Sequence, residues 1–219
     1  TQDLLLERGV QDIVVPGDAP ADALRRRLEI ALQRKALDRI ARKAFATDLA
    51  TGLPNHTQLL EHMTHLVALR EREPAPMAVI ALRVEGLAAA RGALGLESSN
   101  VLRRKVAVRL RASLRASDVV ASIGNDSFVV LLAWIDAPTD GQRVAKKLVD
   151  ALHQPFSVAG NDLAVIIHAG LALYPEHGKT ADALLRRSVG QAASLAAMAH
   201  EGTARAADRG REPAANDSA

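Results

Sequence analysis

The 219-residue chain is 48% hydrophobic and 24% charged, has a formal charge of +3, and contains no cysteine and a single tryptophan. That length holds one domain with an appendage, or two small domains, and can bury a core without disulfides or a metal. The lack of cysteine excludes disulfide frameworks, thiol nucleophiles and zinc sites with sulfur ligands. No apolar run approaches the roughly 20 residues that span a bilayer. With no signal-peptide pattern at its start, the chain is expected to be soluble and cytoplasmic, with no membrane in it. Its basic residues are interleaved with acidic ones and aromatics make up only 2%. A binder of single strands needs stacking aromatics along a concentrated basic groove. The expectation is therefore no nucleic acid, and a weak positive field that suits small anionic ligands.

In chain order, a short β-branched run at 13–15 is broken by Pro16, Gly17 and Pro20. Asp22 can cap a long helix over 22–46, in which Leu24, Leu28, Leu32, Ala36, Ile40 and Ala44 recur at every fourth position. This row predicts a connecting helix that packs or self-associates. Beyond Thr47, strands alternate with helices. A buried strand is predicted over 76–85, and a helix over 97–116 with Val101, Leu102, Val106, Leu110 and Leu114 inward. A hairpin follows around Gly124, Asn125, Asp126 and Ser127, then a helix over 143–156, a strand over 163–175 and an Ala-rich helix ending at Gly202. Residues 203–219 read as a polar tail. Strands alternating with helices around one hairpin predict an α/β fold with a central mixed sheet flanked by helices.

Three segments resemble the GGDEF, or diguanylate cyclase, family. DLATGLPN at 48–55 is similar to that family's opening signature, D-x-L-T-G-L-P-N. The turn Gly124-Asn125-Asp126-Ser127-Phe128 stands where the family carries Gly-Gly-Asp/Glu-Glu-Phe, and LALYPEHG at 171–178 matches the strand end that follows. The resemblance implies a GGDEF-type nucleotidyl-cyclase fold over 47–202. Residues 1–21 resemble the end of a bacterial receiver domain, although Pro16 stands where that family has a lysine after the strand. The helix over 22–46 would then couple the two.

In the GGDEF family two GTP molecules are joined, and magnesium held by carboxylates neutralises the developing charge. Here the first metal aspartate aligns with Arg83, and Glu85 follows on the same strand face. The second turn glycine is Asn125 and the turn's glutamate is Ser127, leaving Asp126 as a metal ligand only if activity is residual. The family's guanine-reading Asn and Asp align with Arg91 and Asn100, and its phosphate lysine with Ala199. A unit positive charge about 4 Å from a dication is repelled by roughly 8 kcal/mol at an effective dielectric of 20. No cyclase activity, no catalytic residue and no cofactor are therefore expected, with magnesium relevant only to residual activity.

Many family members carry an Arg-x-x-Asp pair, five residues before the turn, that binds cyclic di-GMP. Arg115 and Asp118 stand in that register, although an arginine common two residues before the turn is Ser122. Guanidinium can fork onto a guanine edge or a phosphate, while the carboxylate accepts from guanine N–H groups. A turn-only role for Asn125 and Asp126, both tolerant of left-handed backbone, is the plainer alternative. Likewise, Arg115 and Asp118 could form a simple ion pair at the helix end, and Arg83 could pair with Glu85 or Asp126. His62 and His65 read as surface histidines, His168 as a core or interface histidine, and Phe128 and Trp134 as core or hairpin anchors.

The resemblance implies a catalytically inactive domain of bacterial cyclic di-GMP signalling. It would act as a cyclic di-GMP receptor or as a coupling module to another signalling domain or protein, and would pair as a homodimer through its N-terminal helix. The alternatives are an interaction module without nucleotide, and a GTP-binding or residual cyclase domain regulating an attached EAL phosphodiesterase.

Overall fold

The computed structural model describes residues 20–209, with side chains described for all but 38–45 and 202–209. The strand expected at 13–15, and the receiver-like segment up to residue 19, lie outside the described residues. The chain divides after Thr47 into two units. In the first, helix α1 spans Ala21–Phe45, with Asp22 in its first turn. Leu24, Leu28 and Leu32, from the row repeating every fourth residue, are all exposed.

The second unit opens with helix α2, His56–Arg72, whose N-cap Asn55 accepts the backbone N–H of Gln58. Strand β1 (Met77–Glu85) leads into helix α3 (Leu87–Ala112), then the hairpin of β2 (Val119–Ser122) and β3 (Ser127–Leu132). Helix α4 (Pro138–Leu152), the small hairpin of β4 (Phe156–Val158) and β5 (Asn161–Leu163), strand β6 (Ile166–Tyr174) and helix α5 (Ala181–Arg209) complete it. The predicted strand over 163–175 thus splits, its first residue joining the small hairpin. Helix α3 begins earlier than predicted because it is two helical pieces merged across Gly95, at φ 85° and ψ 172°. Helix α5 runs past Gly202, where no left-handed cap forms. The Ala- and Arg-rich residues that follow are strong helix formers.

The main sheet has the order β2-β3-β1-β6. The co-directional strands β1 and β2 are joined by a helical crossover, as are β3 and β6. Each pair of hydrogen-bonded neighbours is nevertheless antiparallel, because β3 is inserted between β1 and β2, and β1 between β3 and β6.

The period of two along β1 divides the core. Ala78, Ile80, Leu82 and Val84 face Leu102, Val106 and Leu110 of α3 and Leu148 and Leu152 of α4. Met77, Val79 and Ala81 face Leu59, Met63 and Val67 of α2 and Leu184 and Leu185 of α5. Val101 and Leu114, also predicted inward, pack at the margin of the first cluster. Helix α5 lies so close to β6 at Gly170 that a Cβ there would strike Ser188 O and Ala192 N.

Candidate functional site

The β2–β3 turn is closed by the Ile123 N–H donating to Ser127 O at 3.0 Å. It is fastened to β1 by the Val84 N–H donating to Asp126 O at 2.8 Å. Asn125 and Asp126 do not use the left-handed backbone they tolerate, since among the described residues only Ala159 is a non-glycine at positive φ. The Asp126 carboxylate has both oxygens occupied. Oδ1 accepts from the Ser127 hydroxyl at 2.8 Å, and Oδ2 lies 3.4 Å from the Arg83 guanidinium. Arg83 thus pairs with Asp126 and not with Glu85. Its position follows from the register, in which Arg83 sits opposite Ser127 of β3 and His168 of β6.

Glu85 takes a different set of neighbours. Its Oε1 lies 3.2 Å from His168 Nε2 and 3.0 Å from His200 Nε2. Strand β6 and the far part of α5 therefore meet at the end of β1. Asn100 is half-buried and Arg91 exposed on opposite sides of the Gly95 break. Phe128 is fully buried in the core. His62 and His65 are exposed, and no metal-holding cluster of His, Asp or Glu occurs among the described residues.

Behind the turn lies a buried arginine that the sequence pattern did not single out. Arg103 of α3 donates through one terminal nitrogen to Asp48 Oδ2 at 3.0 Å, Ser122 Oγ at 3.0 Å and Gly124 O at 3.1 Å. Ser122, where an arginine is common in the family, thus receives a guanidinium from a neighbouring helix. Asp48 also accepts from the Thr51 backbone N–H and, at 2.6 Å, from its hydroxyl. Burial pushes the Asp48 carboxyl up, but the Thr51 bonds and the Arg103 charge outweigh it and hold the pKa below the ordinary value.

Arg115 and Asp118 meet at the start of β2. The Asp118 side chain accepts the Arg115 backbone N–H at 2.9 Å, and its own N–H donates to Arg115 O at 3.1 Å. The two are joined by this backbone turn and not by the alternative side-chain ion pair, and the Arg115 guanidinium is unpaired among the described residues. Both residues line an open cavity of about 490 Å³ together with Trp134, Arg143 and Lys147.

A family profile described as "Diguanylate cyclase, GGDEF domain" matches residues 45–199. The chain belongs to the GGDEF family. Over 138 residues it is 32% identical to the bifunctional diguanylate cyclase/cyclic di-GMP phosphodiesterase MucR of Pseudomonas aeruginosa, covering 63% of this chain and 20% of MucR. It is 31% identical over 142 residues to the cyclic di-GMP phosphodiesterase NbdA of the same organism, covering 64% of this chain and 18% of NbdA. The chain therefore spans about a fifth of these relatives' length. The solved structure of the GGDEF domain of Pseudomonas aeruginosa TpbB matches with a TM-score of 0.64 at 28% identity, covering 67% of this chain and 86% of that one. Among the described residues, no helix is long and apolar enough to cross a membrane.

Within this GGDEF domain the turn residues, Arg83 and Glu85 converge on one end of the sheet, and Arg115 and Asp118 share a separate cavity. Arg103 and His200 escaped the sequence reading because each reaches its partner from a distant helix. An inward-facing arginine in the otherwise apolar row of α3 was the available signal for Arg103. Trp134, expected as a core or hairpin anchor, is instead exposed at the cavity. It follows the end of β3, where the buried face of the sheet stops.

Proposed function

We propose that this GGDEF domain makes no cyclic di-GMP and serves cyclic di-GMP signalling as a receptor for that nucleotide. The observation carrying the first half is the Asp126 carboxylate. One oxygen accepts the Ser127 hydroxyl and the other faces the Arg83 guanidinium. Magnesium demands oxygen ligands in near-octahedral array, and a guanidinium is a cation with no acceptor atom. In this reading the motif is degenerate, and Arg83 stands where the family's metal would be held. The receptor half rests on Arg115, whose guanidinium has no partner among the described residues and lines a cavity large enough for a nucleotide. Asp118 offers a carboxylate beside it, with only Oδ2 engaged by backbone.

GTP is the weaker candidate ligand, because Arg91 and Asn100 stand at the guanine-reading positions. A second reading is favoured by the relatives: MucR and NbdA carry a cyclic di-GMP phosphodiesterase name, and this chain matches only a fraction of each. The domain would then relay its ligand state to an EAL-type neighbour. Pairing of two copies through the exposed leucines of α1 fits either reading.

The test combines turnover and binding on the full chain. Incubation with GTP and magnesium, followed by chromatography, is expected to show no cyclic di-GMP; its formation overturns the inactive reading. Calorimetric titration with cyclic di-GMP is expected to give heat that Arg115→Ala abolishes. No heat from wild type leaves an interaction module without nucleotide.

A further inference from the structure

Trp134 is the single tryptophan of the chain, and 56% of its surface is exposed. It is nevertheless held in place from two sides. The Arg70 guanidinium carbon lies 5.2 Å from the ring centroid, and the indole N–H donates to Asp136 Oδ1 at 3.3 Å. Arg70 is itself fixed, being buried in α2 with a terminal nitrogen donating to Ala133 O at 2.8 Å. Ordering an exposed indole costs rotamer entropy with little burial in return. A ring presented to solvent yet anchored by a cation–π contact and a hydrogen bond is preorganised to meet something flat.

The ring lines the same cavity as Arg115, Asp118, Arg143 and Lys147. The acids there are partly engaged already: Asp140 accepts from Arg143 and from the Ala137 backbone N–H, and Asp136 accepts from the indole. The cations are less completely matched. Arg115 has no side-chain partner among the described residues, and the Lys147 ammonium donates to a neutral carbonyl, Ser113 O, at 2.8 Å. The cavity therefore combines an aromatic face, two cations without a carboxylate partner, and a carboxylate with one oxygen still open. That set matches a purine nucleotide: the ring stacks, the phosphate meets the cations, and a purine N–H donates to the carboxylate.

We infer that Trp134 is a stacking platform that sets the specificity of the Arg115 cavity for a purine base bearing a phosphate. This inference rests on the receptor reading and deepens it. Trp134 contacts the base, while Arg70 and Asp136 position the ring. Cyclic di-GMP and a free purine mononucleotide share this chemistry, and separate titrations tell them apart.

The experiment follows the intrinsic fluorescence of wild-type full chain during titration with cyclic di-GMP, GMP, CMP and inorganic phosphate, alongside calorimetry. Cyclic di-GMP is expected to quench saturably, with the midpoint of the calorimetric heat, whereas inorganic phosphate leaves the emission unchanged. Trp134→Ala is expected to weaken binding about tenfold, and Trp134→Phe, which keeps an aromatic face, by less. GMP matching cyclic di-GMP supports the platform and identifies the ligand as a mononucleotide. CMP binding as tightly as GMP overturns purine selection. Trp134→Ala binding as tightly as wild type, with an unchanged melting temperature, overturns the platform and leaves the receptor reading standing. No heat from wild type with any nucleotide overturns both.

Discussion

Arg103 reaches Asp48 at 3.0 Å across 55 positions of sequence, joining the start of the GGDEF unit to the wall of the β2–β3 turn. Its side chain is 9% exposed and that of Asp48 22%. The same nitrogen also touches Ser122 and Gly124. One buried cation therefore organises the domain entrance, the end of β2 and the turn.

Removing that cation is expected to be costly. Arg103→Ala leaves the Asp48 carboxylate half-buried without its charge partner and should lower unfolding free energy by about 3 kcal/mol. Equilibrium urea denaturation measures this. A loss under 1 kcal/mol would show that water replaces the guanidinium freely.

The depressed Asp48 pKa sets a pH dependence. A carboxyl held below its unfolded value contributes stability in full above the unfolded pKa, near pH 4, and that contribution is lost as pH falls through the folded value. Wild type should accordingly lose stability below about pH 4. Asp48→Asn should flatten that part of the profile in melts taken between pH 3 and 7.

The Arg83–Asp126 pair should behave oppositely in energy. With side chains 44% and 42% exposed, it is screened by solvent and contributes at most about 1 kcal/mol. Arg83→Ala is expected to leave the denaturation midpoint nearly unchanged. A large loss would place the pair among the structural supports of the fold.

Gly170 is required by contact and not by backbone conformation. Its replacement by alanine pushes a methyl against Ser188 O and Ala192 N, backbone atoms of a helix packed on the sheet. Overpacking of this kind costs about 1–3 kcal/mol or more, and thermal unfolding of Gly170→Ala reads it directly.

Exposed Leu28 and Leu32 lie on one face of α1. If two copies pair there, Leu28→Glu with Leu32→Glu should halve the sedimentation mass without altering the melting of the GGDEF unit. A wild-type monomer by sedimentation would remove the pairing altogether.

Much of this arrangement is legible in the sequence where the signal is local. The continuous apolar run of β1, the inward row of α3 and the position of the hairpin are local signals of this kind. The family signature supplied the register that singles out Arg83, Asp126, Arg115 and Asp118. The rest depended on tertiary encounters. Arg83 had two acids within plausible reach, and only the strand register directs it to Asp126. Glu85 meets His168 and His200 because β6 and α5 converge on the end of β1. The Gly95 break stayed hidden because flanking residues remain good helix formers. Trp134 misled because a lone aromatic after an apolar strand ordinarily joins the core.

A cation carried on a side chain differs from one drawn from solution. Arg83 stands in fixed stoichiometry with Asp126, cannot be chelated and does not vary with the supply of divalent ions. The folded shape of the turn should consequently be the same in EDTA as in millimolar magnesium. The charge facing Asp126 is therefore supplied by the chain itself and does not depend on the surroundings for its delivery.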